Sequence, residues 1–284
     1  MLDREEYVEQ AYFFRVLNER MQQNHATQDL LGALREEVLS TTKLPMALDF
    51  LSSELRLSGG LAAAMDRLDH YFAPFQTFVV AEAERDRGRF DFRVALEILE
   101  REARYRAEGA SPQGIFLYQF ECLCRNRLGY DRGLEAMARD PIFDEHWREW
   151  ILTVRRQVGL VDFADLIFVR SQHYANQRLR AGQGPAEKAI LFGEKEGKIA
   201  WAHRLKEPLW LFSALERHLN YPKVPRPRPI DESKALLPGM LRRLDRLESR
   251  LKLIEEEGRG GIDLARFYTP PKGGEPTDGP TPPG

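Results

Sequence analysis

A chain of 284 residues that is 43% hydrophobic and 30% charged can bury one substantial core, and its formal charge of −2 gives no global pull toward nucleic acid or anionic lipid. Its two cysteines, Cys122 and Cys124, exclude a disulfide scaffold and fit a reducing compartment. No run reaches the roughly 20 apolar residues of a membrane helix, and the opening Met1 to Tyr7 lacks the basic and apolar parts of a secretory signal, so a cytoplasmic location is expected.

Helical periodicity dominates from the start. Tyr7, Ala11, Phe14, Leu17 and Met21 share one face of an opening helix, with a break expected near Asn24 or Thr27. Pro45, the pair Gly59 and Gly60, and Pro74 divide residues 28–87 into short helices. Asp91 then reads as an N-cap for a helix that buries Phe92, Leu96, Leu99 and Ala103. Its other face carries three Glu-then-Arg pairs, Glu97 with Arg101, Glu100 with Arg104 and Glu102 with Arg106. At this spacing each contributes about 0.3 kcal/mol on a solvated surface, which is where all three are expected.

Residues 115–128 form an aromatic-rich helix ending near Gly129, and Asp144 starts another with Trp147, Trp150, Val154 and Val158 at core spacing. Gly159 ends it. Asp162 caps a further helix expected to bury Phe163, Leu166, Ile167 and Tyr174. After a loop from Gly182 to Pro185, the run Ala189 to Trp201 places two short apolar stretches around Glu194-Lys195-Glu196-Gly197. That pattern predicts a small β-hairpin near 189–202, with Gly197 supplying a positive φ. A last body helix is expected from Pro208 to Leu219.

Two local echoes bear on architecture. The stretch from Gly88 to Phe92 returns 71 residues later as Gly159 to Phe163, each opening a helix, which raises an α-solenoid-like stack of helical hairpins. The dozen residues from Asn126 to Met137 resemble the inter-helix turn of a tetratricopeptide repeat, although no period of about 34 residues is sustained. The resemblance implies a tight helix-turn-helix at that point.

Chemistry-bearing motifs are sparse. Cys122 and Cys124 sit two apart on a helix, so their thiols diverge, and one buried and one partly exposed structural cysteine is expected. The histidines at 25, 70, 146, 173, 203 and 218 lack the i,i+4 or Glu-x-x-His spacing of helical metal sites. Asp66 with His70, and Ser171 near His173, come with no third catalytic partner. No phosphate-cradling glycine loop occurs. The aromatic groups Tyr71, Phe72, Phe75, Phe78 and Phe116, Tyr118, Phe120 read as core. No catalytic, cofactor or metal residue is assigned.

After Tyr221 the character changes. Pro222-Lys223-Val224-Pro225-Arg226-Pro227-Arg228-Pro229 forbids a continuous helix and predicts a stiff spacer. Beyond it Leu237, Met240, Leu244, Leu247, Leu251 and Ile254 alternate by three and four, the spacing of a coiled-coil seam. With Leu237 at position a, Arg243 and Arg250 fall at g and Glu248 and Glu255 at e. In a parallel pair this register sets Arg243 against Glu248′ and Arg250 against Glu255′. Residues 222–252 hold nine basic side chains against four acidic ones, a net of +5, among them Lys223, Arg226, Arg228, Arg242 and Arg246.

The expectation is therefore an all-α body over residues 1–220, a Pro- and Arg-rich linker over 221–234, a coiled-coil helix over 235–257 and a disordered Pro- and Gly-rich tail over 258–284. The function expected is a non-catalytic interaction or scaffold protein that self-associates as a parallel dimer and binds another protein, with no membrane partner. Two alternatives stand beside it: nucleic-acid association through the basic arm, and an enzyme with a helical-bundle site.

Overall fold

The computed structural model describes residues 2–21, 27–85, 90–185 and 188–226. These residues belong to one unit, Met1–Pro227. Thirteen helices occur among them: α1 Arg4–Met21, α2 Thr27–Glu37, α3 Leu44–Ser58, α4 Leu61–Asp66, α5 Pro74–Glu84, α6 Phe92–Ala107, α7 Pro112–Asn126, α8 Tyr130–Ala138, α9 Glu145–Gln157, α10 Phe163–Phe168, α11 Gln172–Arg180, α12 Glu194–Ala202 and α13 Pro208–Leu219. The all-α body is thus present, and no described helix is long and apolar enough to cross a membrane.

Helix starts follow the side chains that can accept from orphan backbone amides. Asp91 accepts from Arg93 N, Ser111 from Gly114 N, Asp144 from Trp147 N and Asp162 from Ala164 N. Pro45, Pro74, Pro112 and Pro208 occupy first-turn positions, where a missing N–H costs nothing. The opening helix buries Tyr7, Ala11, Phe14 and Leu17 and packs along α6. Around this pair stand the packed neighbours α2 with α3, α4 with α5, and α8 with α9. The contact of α1 with α6 reaches past sequence neighbours, unlike a stack in which each repeat touches only the next. Asp91 and Asp162 are both N-caps, but the helices they open differ, at 16 and 6 residues.

The α7–α8 turn is tight, as the tetratricopeptide-like stretch implies. Gly133 allows the approach, because a Cβ there would lie 2.6 Å from Leu123 Cδ2 of α7. The aromatic core is continuous: Phe116 lies 4.6 Å, centroid to centroid, from Trp150, and Phe120 stacks on Phe163 at 4.4 Å.

Two expectations are corrected here. The run expected as a hairpin is an extended stretch followed by α12. Leu191 N and Phe192 N both donate to the Arg170 carbonyl, at 2.8 and 3.1 Å, and Gln172 N donates back to the Phe192 carbonyl at 2.9 Å. Gly193 then opens α12, with Glu194 and Glu196 in the first turn, where the helix dipole favours acids. Gly197 lies inside this helix and does not turn the chain. A Cβ there would sit 2.6 Å from Ser171 Cβ and 2.7 Å from His173 Cβ. Its role is close helix packing, and the local pattern of a turn glycine is the same. The helix expected from Asp162 through Tyr174 is also two helices, because Ser171 ends one and caps the next. Its hydroxyl donates to the Phe168 carbonyl at 2.7 Å and accepts from Tyr174 N at 3.2 Å.

Candidate functional site

The seam residues Leu237, Met240, Leu244, Leu247, Leu251 and Ile254, the charged residues Arg243, Glu248, Arg250 and Glu255, and the arm residues Arg228, Arg242 and Arg246 lie outside the described residues, as do most of the linker and the whole tail. Lys223 and Arg226 of the arm are described, and both are exposed. The segment around them, Tyr221 to Arg226, is extended, as its prolines require, yet it is packed on the helices. Tyr221, Val224 and Pro225 are buried. The Tyr221 hydroxyl reaches Glu121 Oε2 at 2.8 Å and the Phe212 carbonyl at 3.1 Å. Arg101 Nη1 donates to the Lys223 carbonyl at 2.6 Å, and Asn126 Nδ2 to the Pro225 carbonyl at 3.1 Å. The body therefore continues past residue 220 as a strap across α6 and α7.

Within the body the densest cluster of charge is buried. Arg106, expected on a solvated face with Glu102, has a side chain 1% exposed, and the side chains of Glu102 and Asp140 are fully enclosed. Arg106 Nε and Nη2 donate to Glu102 Oε1 at 2.9 and 2.6 Å, Nη1 donates to Asp140 Oδ1 at 3.3 Å, and Nη2 also meets Asp140 Oδ2. Gln119 Nε2 donates to Glu102 Oε1 at 3.0 Å and Asp140 Oδ2 at 3.3 Å. The Tyr7 ring lies 5.9 Å from the guanidinium carbon. One guanidinium thus joins α6, α7, α1 and the turn after α8.

Two carboxylates share that single cation, and Glu102 Oε2 and Gln119 Oε1 have no hydrogen-bond partner among the described residues. Burial, reinforced by the Asp140 charge and opposed by Arg106, raises the Glu102 pKa above the usual carboxylate range. Glu97 with Arg101 and Glu100 with Arg104 lie nearer the surface, as expected, although the Glu100 side chain is only 14% exposed and Arg101 also holds the strap.

A second polar centre carries the α1 carboxylates. Glu6 accepts from Lys43 N at 2.8 Å and the Tyr71 hydroxyl at 2.9 Å, and Glu9 accepts from Leu39 N at 2.8 Å. These bonds satisfy backbone amides of the α2–α3 connection, a structural task.

At the other end of the body, Glu194 accepts from Asn176 Nδ2 at 2.8 Å and lies 3.1 Å from both His173 Nδ1 and Lys198 Nζ. Lys198, then His173, hold the Glu194 carboxyl below its ordinary range. His218 Nε2 meets Glu196 Oε1 at 3.1 Å. Ser171 is committed to its capping bonds, so the Ser171 and His173 pair is not a nucleophile and base. Cys122 is buried and Cys124 half-buried; burial pushes the Cys124 thiol up to about 11 and raises that of Cys122 well above its ordinary value. Among the described residues no group of three or more His, Cys, Asp or Glu could hold a metal ion.

The feature with the clearest potential for external contact is an apolar edge formed by two turns. Gln157 O accepts from Leu160 N and Val161 N at 2.9 and 3.1 Å, shaping the turn between α9 and α10. Asp162 Oδ2, at that turn's end, accepts from Leu205 N at 2.5 Å, and Asp165 pairs with Arg204. The turn between α12 and α13 is thereby tied to the first. Leu160 is 84% exposed, Leu205 89%, Trp210 60% and Trp201 46%, with Val161 and Leu209 also open. Arg204 covers the Trp201 ring at 4.4 Å. Leu205 adopts φ +57, a left-handed conformation uncommon for a leucine.

No family model, no curated protein and no solved structure matches this chain.

Proposed function

We propose that this chain is a non-catalytic interaction protein that self-associates through residues 237–254 as a parallel pair. The observation that carries the reading is the joint register of apolar and charged residues there. The apolar positions alternate by three and four, and the same frame sets Arg243 against Glu248′ and Arg250 against Glu255′. The seam covers little more than two heptads, so the pair is marginal alone and draws stability from additional contacts.

The test is the molar mass of the full-length protein by size-exclusion chromatography with light scattering. Wild type runs as a dimer, and Leu244→Lys with Leu251→Lys runs as a monomer with an unchanged helical signal. Arg243→Glu with Arg250→Glu weakens the pair through repulsion from Glu248 and Glu255. An oligomer unchanged by the lysine variant sinks the reading.

A further inference from the structure

We propose that Arg170 anchors a binding site for a carboxylate, carried by a small organic acid or by a second copy of the chain. The proposal is independent of the seam at residues 237–254.

Among the described residues Arg170 is the one buried charge left uncompensated. Glu6 and Glu9 accept from backbone amides, Glu102 and Asp140 share Arg106, and Glu121 pairs with Arg125. Arg170 is 7% exposed, yet neither a carboxylate nor any other acceptor meets its guanidinium among the described residues. Its Nε is enclosed without a partner, so this is not an apolar stem lifting a fully hydrated head into water. The two terminal nitrogens also lack an acceptor but are not enclosed, and they are the part a solute can reach. Burial lowers the pKa of the group, and Glu149 of α9 opposes that shift without pairing. Enclosing an unpaired cation opposes folding, and no contact within the described body offsets it. A ligand that supplies the missing charge accounts for the residue.

The chemistry of that ligand follows from the group. Two terminal N–H edges in one plane match the two oxygens of a carboxylate. A single cation with Glu149 acting on it suits one negative charge rather than a phosphate dianion. Helix α11 opens two residues on, and its dipole adds potential of the same sign. The backbone is also fixed in advance. Arg170 N donates to the Ile167 carbonyl at 3.1 Å, the Arg170 carbonyl accepts from Leu191 N and Phe192 N, and Ser171 caps α11.

The test uses full-length protein with acetate, benzoate and phosphate as probes at constant ionic strength. The Arg170 Nε–H resonance, identified by its absence from Arg170→Lys, shifts saturably with acetate and benzoate, and both raise the thermal midpoint of wild type. Arg170→Met loses that response. Without added anion its midpoint equals or exceeds that of wild type, because the substitution removes an unpaired buried cation and keeps an apolar stem. Light scattering separates the two sources. Acetate or Arg170→Met lowers the molar mass where a second copy supplies the carboxylate, and leaves it unchanged where a small acid does.

Three results overturn the proposal. One is a lower midpoint for Arg170→Met without anion, which assigns the guanidinium to a pair within the chain; Glu149→Gln and Glu187→Gln, the latter outside the described residues, then identify the partner. Another is an Nε–H signal that acetate does not move, or a thermal response shared by wild type and Arg170→Met. The third is a stronger response to phosphate than to acetate, which rejects a carboxylate as the ligand.

Discussion

Arg106 shows why spacing alone does not place an ion pair. Glu102 and Arg106 repeat the i,i+4 pattern of Glu97 with Arg101 and Glu100 with Arg104, yet the first pair is fully enclosed and the others keep at least one partner open to water. The difference is Asp140, which lies 34 positions after Arg106 in sequence and supplies a second carboxylate from another element. Arg106→Met leaves two carboxylates buried without their cation, and loss of one partner from such a group costs about 3–5 kcal/mol. Urea unfolding of the variant should show that loss, while Arg104→Met on the outer face changes stability by less than about 1 kcal/mol.

Glu102 adds a pH signature. Its folded pKa is raised above its unfolded value, so the folded state holds the proton more tightly. Its contribution to stability is complete below the ordinary carboxylate pKa and is lost as pH rises through the folded value. Glu102→Gln, which mimics the neutral acid, should flatten that fall when the urea midpoint is followed upward from the ordinary carboxylate range. A slope identical to wild type would show that Glu102 does not hold the proton.

At the scale of elements, most helices were legible because caps, prolines and apolar periodicity agree. Asp91, Asp144 and Asp162 each cap as their sequence context predicts, and Tyr7, Ala11, Phe14 and Leu17 do form one buried face. The failure at α12 has a definite cause. A glycine that permits close helix packing and a glycine that turns a hairpin look alike in one sequence, and the atoms that decide between them, on Ser171 and His173, lie more than 20 residues away. Gly197→Ala drives a methyl group into those atoms and should cost about 1–3 kcal/mol, read from the thermal midpoint.

The strap was half legible for a similar reason. Proline dictated its extended backbone, but its burial depends on Arg101, Glu121 and Asn126 of α6 and α7. Tyr221→Phe removes a buried hydroxyl that reaches both Glu121 and the Phe212 carbonyl and should cost about 1–3 kcal/mol. A chain ended at Asn220 loses the whole strap and should be less stable than one ended at Arg226.

Across the whole molecule, the apolar edge was the part least visible in sequence, because its members come from separate turns that long-range hydrogen bonds bring together. One signal was present. The buried stripe of α13 is Leu211, Phe212 and Leu215, and Leu209 and Trp210 fall off it at the helix start. The four tryptophans consequently divide into two populations: Trp147 and Trp150 are enclosed by Phe116 and Phe192, while Trp201 and Trp210 are open. Acrylamide quenching of full-length protein should therefore be biphasic, with an accessible red-emitting fraction and a protected blue-emitting one. Trp201→Phe with Trp210→Phe should abolish the accessible fraction and leave unfolding cooperative, since neither ring is enclosed by the core. If wild type instead quenches in a single protected phase, Trp201 and Trp210 are covered in solution. In that event the edge is already occupied in solution, and the molar mass tells whether a second copy covers it.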